Sequence, residues 1–255
     1  MDFVEILEHH LLDHKIVRLF TLGNTTVYLT MHNLMMTIAS SLLLGLLLIA
    51  RRQSQPTGNG VAAPHGWANF FEIFIVYIRD EIVRPNLGHA GDTYLPYFLT
   101  LFFFILFCNL LGLVPFGATA TGNIAVTTAM ALTTFFMINI SGVRELGLGH
   151  YLHTFIPPGL PFWLVPLMFV IEVLGLFTKS FALCIRLFAN MIAGHIVILA
   201  FMCLIFIFKS IFIAPISIAA AVGLGLLELF VAFLQAYVFT LLTAVFIGGA
   251  VNPQH

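Results

Sequence analysis

The last third of the chain consists of two apolar runs, Phe162–Phe208 and Ile216–Val251, parted only by a break at Lys209 and Pro215. As single helices they would measure about 70 and 54 Å, against a hydrocarbon core of about 30 Å. Such runs are too long to cross a bilayer upright. They must be strongly tilted, bent, or packed against something larger than lipid. The rest of the chain agrees with a membrane solvent: 60% of the 255 residues are apolar and 8% are charged, where a soluble domain carries roughly 25% charged residues. The mean hydropathy is +1.06. A soluble enzyme is excluded, and a net charge of −1 argues against a nucleic-acid partner, which needs a basic face. Cys108, Cys184 and Cys203 lie within apolar runs and read as small hydrophobes, with no disulfide framework.

The fold class expected is an all-α polytopic membrane protein with a single membrane domain over 1–255. A first span is expected over 31–50, ending at Arg51 and Arg52. The segment QSQPTGNGVAAPHG that follows has loop composition. Residues 67–84 are apolar but carry Glu72, Arg79, Asp80 and Glu81, which suits a helix lying in the interface. The charge-free stretch Thr93–Val143 is broken by VPFGATATGN, giving a helical hairpin over 95–142. The two runs over 162–251 form a second, longer hairpin. At the other end, residues 1–27 read as an amphipathic interfacial segment. The opening MDFVEILEHHLLDHKIVRLF has acids among Phe3, Ile6, Leu7, Leu11 and Leu12, and neither the basic leader nor the cleavage site of a signal peptide. His9, His10 and His14 are close enough to raise a metal site but read as a solvated polar face. With five crossings, Arg51, Arg52, Arg79, Arg84 and Arg144 fall on one side, and Lys15, Arg18 and Lys209 on the other. That balance puts the N-terminus outside and the C-terminus in the cytoplasm.

Ionisable groups inside apolar helices are costly, roughly 2.5–3.5 kcal/mol each on insertion scales, and mark function by default. Glu172, Lys179, Arg186 and Asn190 share one helix face, each within about 40° of the arginine. His195 lies about 180° round from Arg186. On the last run, Glu228 and Gln235 are seven positions apart on one stripe. Arg186 keeps its proton, so it is a fixed positive charge that attracts a passing carboxylate and repels a free cation. His195 and Glu228 can titrate and, with Gln235, could carry protons along a polar cavity. A fixed charge beside titratable groups suits a proton path that must not leak. The carboxylate partner of Arg186 could be Glu172, Glu228 or a group on another chain. Structural alternatives are an ion pair between Glu172 and Lys179, an arginine snorkelling to the interface, and a hydrogen-bonded core histidine at 195. The chain contains no H-E-x-x-H, G-x-S-x-G or phosphate-binding glycine loop. No catalytic residue, cofactor or metal is expected.

RLFANMIAGH, Arg186 to His195, closely resembles the arginine motif of subunit a of the F-type ATP synthases, matched by Arg186, Leu187, Phe188, Asn190 and Gly194. LELFVAFLQAYVFTLLTAVFI resembles that family's last helix, with Glu228, Gln235, Ala236, Tyr237 and Phe239. FCNLLGLVPFGATATGNIAVTTAMAL is similar to its Asn-Leu-x-x-x-x-Pro region through Asn109, Leu110 and Pro115, and Glu172 and Lys179 stand where the family often has Glu and Lys. The chain carries His195 and then Glu228, the order of mitochondrial members, where others have Glu then His. It departs at Gly112, where some bacterial members have Asp.

The resemblance implies more than the spacing does. The two long helices would lie steeply tilted against a ring of c subunits, with Arg186 facing the ring and attracting its deprotonated carboxylates. Two offset half-channels would deliver protons to those carboxylates and take them away, Arg186 preventing a short circuit between them. Glu228, His195, Gln235, Asn190, Glu172 and Lys179 would accompany it in proton translocation. The implied protein is a non-catalytic, ion-conducting subunit of a hetero-oligomeric complex. It would contact peripheral-stalk b subunits and the bilayer of an energy-transducing membrane, here a bacterial inner membrane. The alternative from a different class is a stand-alone proton-coupled transporter, which predicts a midplane pocket between two broken helices.

Overall fold

A computed structural model describes residues 15–22, 25–53, 66–114, 119–155, 161, 163–208 and 214–252. The N-terminal histidines, most of the 53–66 loop, residues 115–118 and the break at Lys209 lie outside the described residues. Among those described, every long element is a helix, and the protein is an all-α polytopic membrane protein. Its elements are α1 (Met31–Gln53), α2 (Trp67–Tyr77), α3 (Arg84–Leu87), α4 (Gly91–Gly112), α5 (Ile124–Leu146), α6 (Leu148–Thr154), α7 (Val165–Phe208) and α8 (Ala214–Val251). Four described stretches are long and apolar enough to cross a membrane: Gly91–Gly112, Ile124–Leu146, Val165–Phe201 and Pro215–Val251. At 23 residues, or about 35 Å, α1 has the length for a further span.

The N-terminal segment departs from the helix expected there. Lys15–Leu22 is a strand, β1, paired antiparallel with β2, Thr25–Thr30, in a register running from Lys15 opposite Thr30 to Leu22 opposite Thr25. The physical reason lies in the second strand. Lys15–Leu22 contains Ile16, Val17 and Thr21, the segment that follows after two residues, TTVYLT, is also rich in branched residues, and paired backbone satisfies both.

A second departure lies in the segment expected as one interfacial helix. Ile78–Val83, between α2 and α3, winds as a π-turn, closed by the Arg84 N–H donating to the Arg79 carbonyl. The wider turn brings Ile78, Ile82 and Val83 together into the core with no exposure. The charges stay outside: Arg79 Nε lies 2.9 Å from Asp80 Oδ1, and Arg84 Nη1 lies 3.0 Å from the same oxygen.

The described chain divides into two compact units, and the long helices contribute to both. The first comprises 1–42, 104–127 and 185–236. Its core joins Ala39 of α1 to Cys108 of α4 and Ala120, with Met35, Met36, Phe104, Phe107 and Leu111 packed around them. The second comprises 43–103, 128–184 and 237–255. There Phe71 and Phe74 of α2 meet Phe102 and Phe103 of α4, the Phe71–Phe103 rings edge-on at 5.4 Å. Gly147, at φ 78°, ends α5 with its N–H donating to the Val143 carbonyl at 2.9 Å, a conformation glycine adopts at little cost. Tyr151 of α6 then packs on Gly142 of α5 and donates its hydroxyl to Asn139 Oδ1 at 3.0 Å.

Candidate proton-path site

The site lies in the first unit, where the second half of α7 runs beside the first half of α8. α7 presents two faces there. Ile185, Arg186, Ala189, Ala193, Val197 and Ala200 are exposed at helical spacing, so the arginine stands in a stripe of small and apolar residues. Within this unit Arg186 makes no ion pair with any described residue. Leu187 and Met191 turn into the core.

Beside the stripe, a cavity of about 210 Å³ opens between the helices, lined by Asn190, Ala193, Gly194, Leu227, Glu228 and Val231 among others. Gly194 makes room for it. A Cβ at that position would collide with the Glu228 carboxylate, whose Cδ lies 2.7 Å from where it would sit. Both Glu228 oxygens are shielded, and neither has a hydrogen-bond partner among the described residues; the same holds for Gln235 Nε2 further along α8. Buried polar atoms without partners cost free energy. With Ser217 Oγ, four such atoms among the described residues lie on α8, and a carboxylate left so suits a route that handles protons more than a core selected for stability.

His195 faces away from the arginine stripe. Its Nε2 lies 2.5 Å from Thr119 Oγ1, in the connection between α4 and α5. A short turn at Ala120–Gly122, with the Gly122 N–H donating to the Thr119 carbonyl at 2.9 Å, also orients Thr121. The Thr121 hydroxyl donates to Asn109 Oδ1 at 2.9 Å, and Asn109 Nδ2 donates to the Ala232 carbonyl at 3.4 Å. Ala232 also lines the cavity beside Glu228.

Of the residues picked out by sequence, Asn190 and Glu228 share the cavity, while Arg186, His195 and Gln235 lie in the same unit but do not line it. Glu172 and Lys179 fall in the second unit and make no ion pair with each other. The Lys179 ammonium lies 5.6 Å from the centre of the Phe246 ring, a cation–π contact that offsets part of its desolvation. Thr119 and Thr121 were not among the expected site residues. The signal available was the run of small polar residues in Ala-Thr-Ala-Thr-Gly-Asn between two apolar helices.

The family model for the ATP synthase A chain matches residues 33–248. The chain is 47% identical over 234 residues to an ATP synthase subunit a of Chloroherpeton thalassium, covering 91% of this chain and 69% of that protein. It is 47% identical over 238 residues to one from Myxococcus xanthus, covering 91% of this chain and 76% of the relative. It is 44% identical over 258 residues to ATP synthase subunit a 2 of Chlorobaculum tepidum, covering 96% and 72%.

Proposed function

Because this chain belongs to the ATP synthase A chain family, we propose that it is the proton-conducting stator subunit of the membrane sector, with Arg186 as its coupling charge. The observation that carries this reading is the contrast between two groups on neighbouring faces. Arg186 is exposed in a stripe of small residues, whereas the Glu228 carboxylate is buried in a cavity without partners.

An exposed guanidinium in an apolar stripe is expensive in lipid unless another chain supplies a carboxylate. A ring of c subunits, each with one ionisable carboxylate, meets that need. Small side chains at Ala189, Ala193 and Ala200 let a partner helix approach closely. Arg186 then attracts the deprotonated carboxylate arriving on the ring and blocks direct passage of a proton from one half-channel to the other. Glu228, with Asn190, His195 and Gln235, carries protons to or from the ring by titration and hydrogen bonding. Glu172 and Lys179 take part in proton translocation as well. The chain acts within a hetero-oligomeric complex, held by peripheral-stalk b subunits, and catalyses nothing alone. Its bacterial relatives support a bacterial inner membrane, and the arginine-rich side supports a cytoplasmic C-terminus. Nothing in the comparisons supports the stand-alone transporter, since the relatives are named as ATP synthase subunits.

Disulfide trapping tests the ring contact. Ala193→Cys, paired with a cysteine one turn from the ring carboxylate, should cross-link under mild oxidation and stop rotation. Cross-linking only to stalk subunits, or none in an assembled complex, would overturn the assignment of this face.

A further inference from the structure

Among the described residues, His195 is held by one polar side chain, and no sequence motif picked it out. Thr119 reaches its Nε2 from the connection between α4 and α5. It is buried, so bulk water does not replace its hydroxyl. It can come this close because residue 112 is glycine. A Cβ there would press on Thr119 Oγ1 at 2.8 Å and on Met191 Cε at 2.6 Å. Thr121 is tied separately to Asn109, so the two threonines of the turn do not compete for the same partner.

We infer that Thr119 is a positioning residue for proton transfer, holding the His195 ring in one orientation through both of its protonation states. The chemistry follows from what a hydroxyl can do. It donates to a bare ring nitrogen and accepts from a protonated one. When Nε2 carries no proton, the Thr119 O–H donates to it; when Nε2 carries one, the N–H donates to Oγ1. Exchange at Nδ1 runs with Nε2 protonated throughout: the Nε2–H donates to Oγ1 in both the imidazole and the imidazolium, so the bond survives the gain and loss of the Nδ1 proton, and the Thr119 O–H donation holds the other neutral tautomer. A carboxylate would favour the imidazolium and an aliphatic group would hold neither form. The charged groups of this unit that bear on the ring are Arg186, nine positions back on the opposite face of α7, and Glu228 on α8 beside Gly194. Neither makes a hydrogen bond to it. The inference rests on the reading of His195 as a proton carrier.

The test is ATP-driven acidification of vesicles bearing the assembled complex, followed with a pH-sensitive acridine dye, for Thr119→Val, Thr119→Ser and His195→Ala. Assembly is checked by co-purification. Val keeps the shape and removes the hydroxyl, so transport should fall about tenfold or more, as expected when a hydrogen bond to a charged group is lost. Ser restores the hydroxyl and should recover at least about a third of the rate, a rescue that a purely packing role would not give. If the Val protein fails to assemble, the smaller pair Thr119→Ala and Thr119→Ser makes the same comparison. Equal transport by hydroxyl-bearing and hydroxyl-free variants, beside an inactive His195→Ala, overturns the inference alone. Full transport by His195→Ala overturns the reading of the site and the inference with it.

Discussion

The Glu228 carboxylate occupies the space that a side chain at Gly194 would need, with its Cδ 2.7 Å from the position of an added Cβ. The glycine of the arginine motif is thus the floor of the acid's pocket. In Gly194→Ala the far end of a flexible side chain must move, and the backbone need not. Assembly and thermal stability should change little, while proton pumping falls about tenfold or more, since ångström-scale misplacement of a reacting group is that costly. Pumping at the wild-type rate would mean that the carboxylate's position is immaterial.

Gly248→Ala should behave in the opposite way. The added Cβ would meet backbone, with the Asn86 carbonyl carbon at 3.0 Å, and backbone cannot swing aside as the Glu228 side chain can. Overpacking of this kind costs about 1–3 kcal/mol. The detergent-solubilised complex should show a lower thermal midpoint and a reduced yield of this subunit. An unchanged midpoint would refute the close approach.

Asn109 is buried between the Thr121 hydroxyl and the Ala232 carbonyl. Asn109→Leu keeps the volume and strands the Thr121 hydroxyl, for about 1–3 kcal/mol. A double-mutant cycle with Thr121→Val should recover part of that loss, because the stranded hydroxyl is then gone. Strict additivity would show that the two residues do not share the bond.

Asp80 responds to pH with a definite sign. The hydrogen bond from Arg79, helped by the charges of Arg79 and Arg84, holds its carboxyl below the usual carboxylate range against a smaller opposing effect of burial. A depressed folded-state pKa contributes stability above the ordinary value of about 3.9, and that contribution disappears as pH falls through the lowered value. The group is exposed, so the effect is small and weakens with salt. Thermal midpoints of wild type and Asp80→Asn should differ slightly near neutral pH and converge below about pH 4. A gap that widens in acid would contradict the sign.

The long helices were legible in the sequence because an apolar run of ~20 residues has few other solutions in a bilayer. The charged residues of α7 and α8 stood out for the same reason. The hairpin at Lys15–Thr30 was not legible, because its acidic upstream neighbours gave the amphipathic pattern of a helix while the pairing depended on a second strand. The π-turn at Ile78–Val83 leaves the hydrophobic period nearly intact and so carries no signal of its own. Thr119 was hidden for a different reason. Its partner His195 is 76 positions away, and no local pattern records which residue a turn will face once the helices pack.

ATP-driven acidification of membrane vesicles, wild type against Arg186→Ala, tests the central claim most directly, with assembly verified by co-purification. Pumping should fall to background in a complex that still assembles, because no other fixed charge is exposed in the stripe from Ile185 to Ala200. Full pumping by the assembled Arg186→Ala complex would contradict the assignment of that arginine as the charge that couples the ring to its two half-channels.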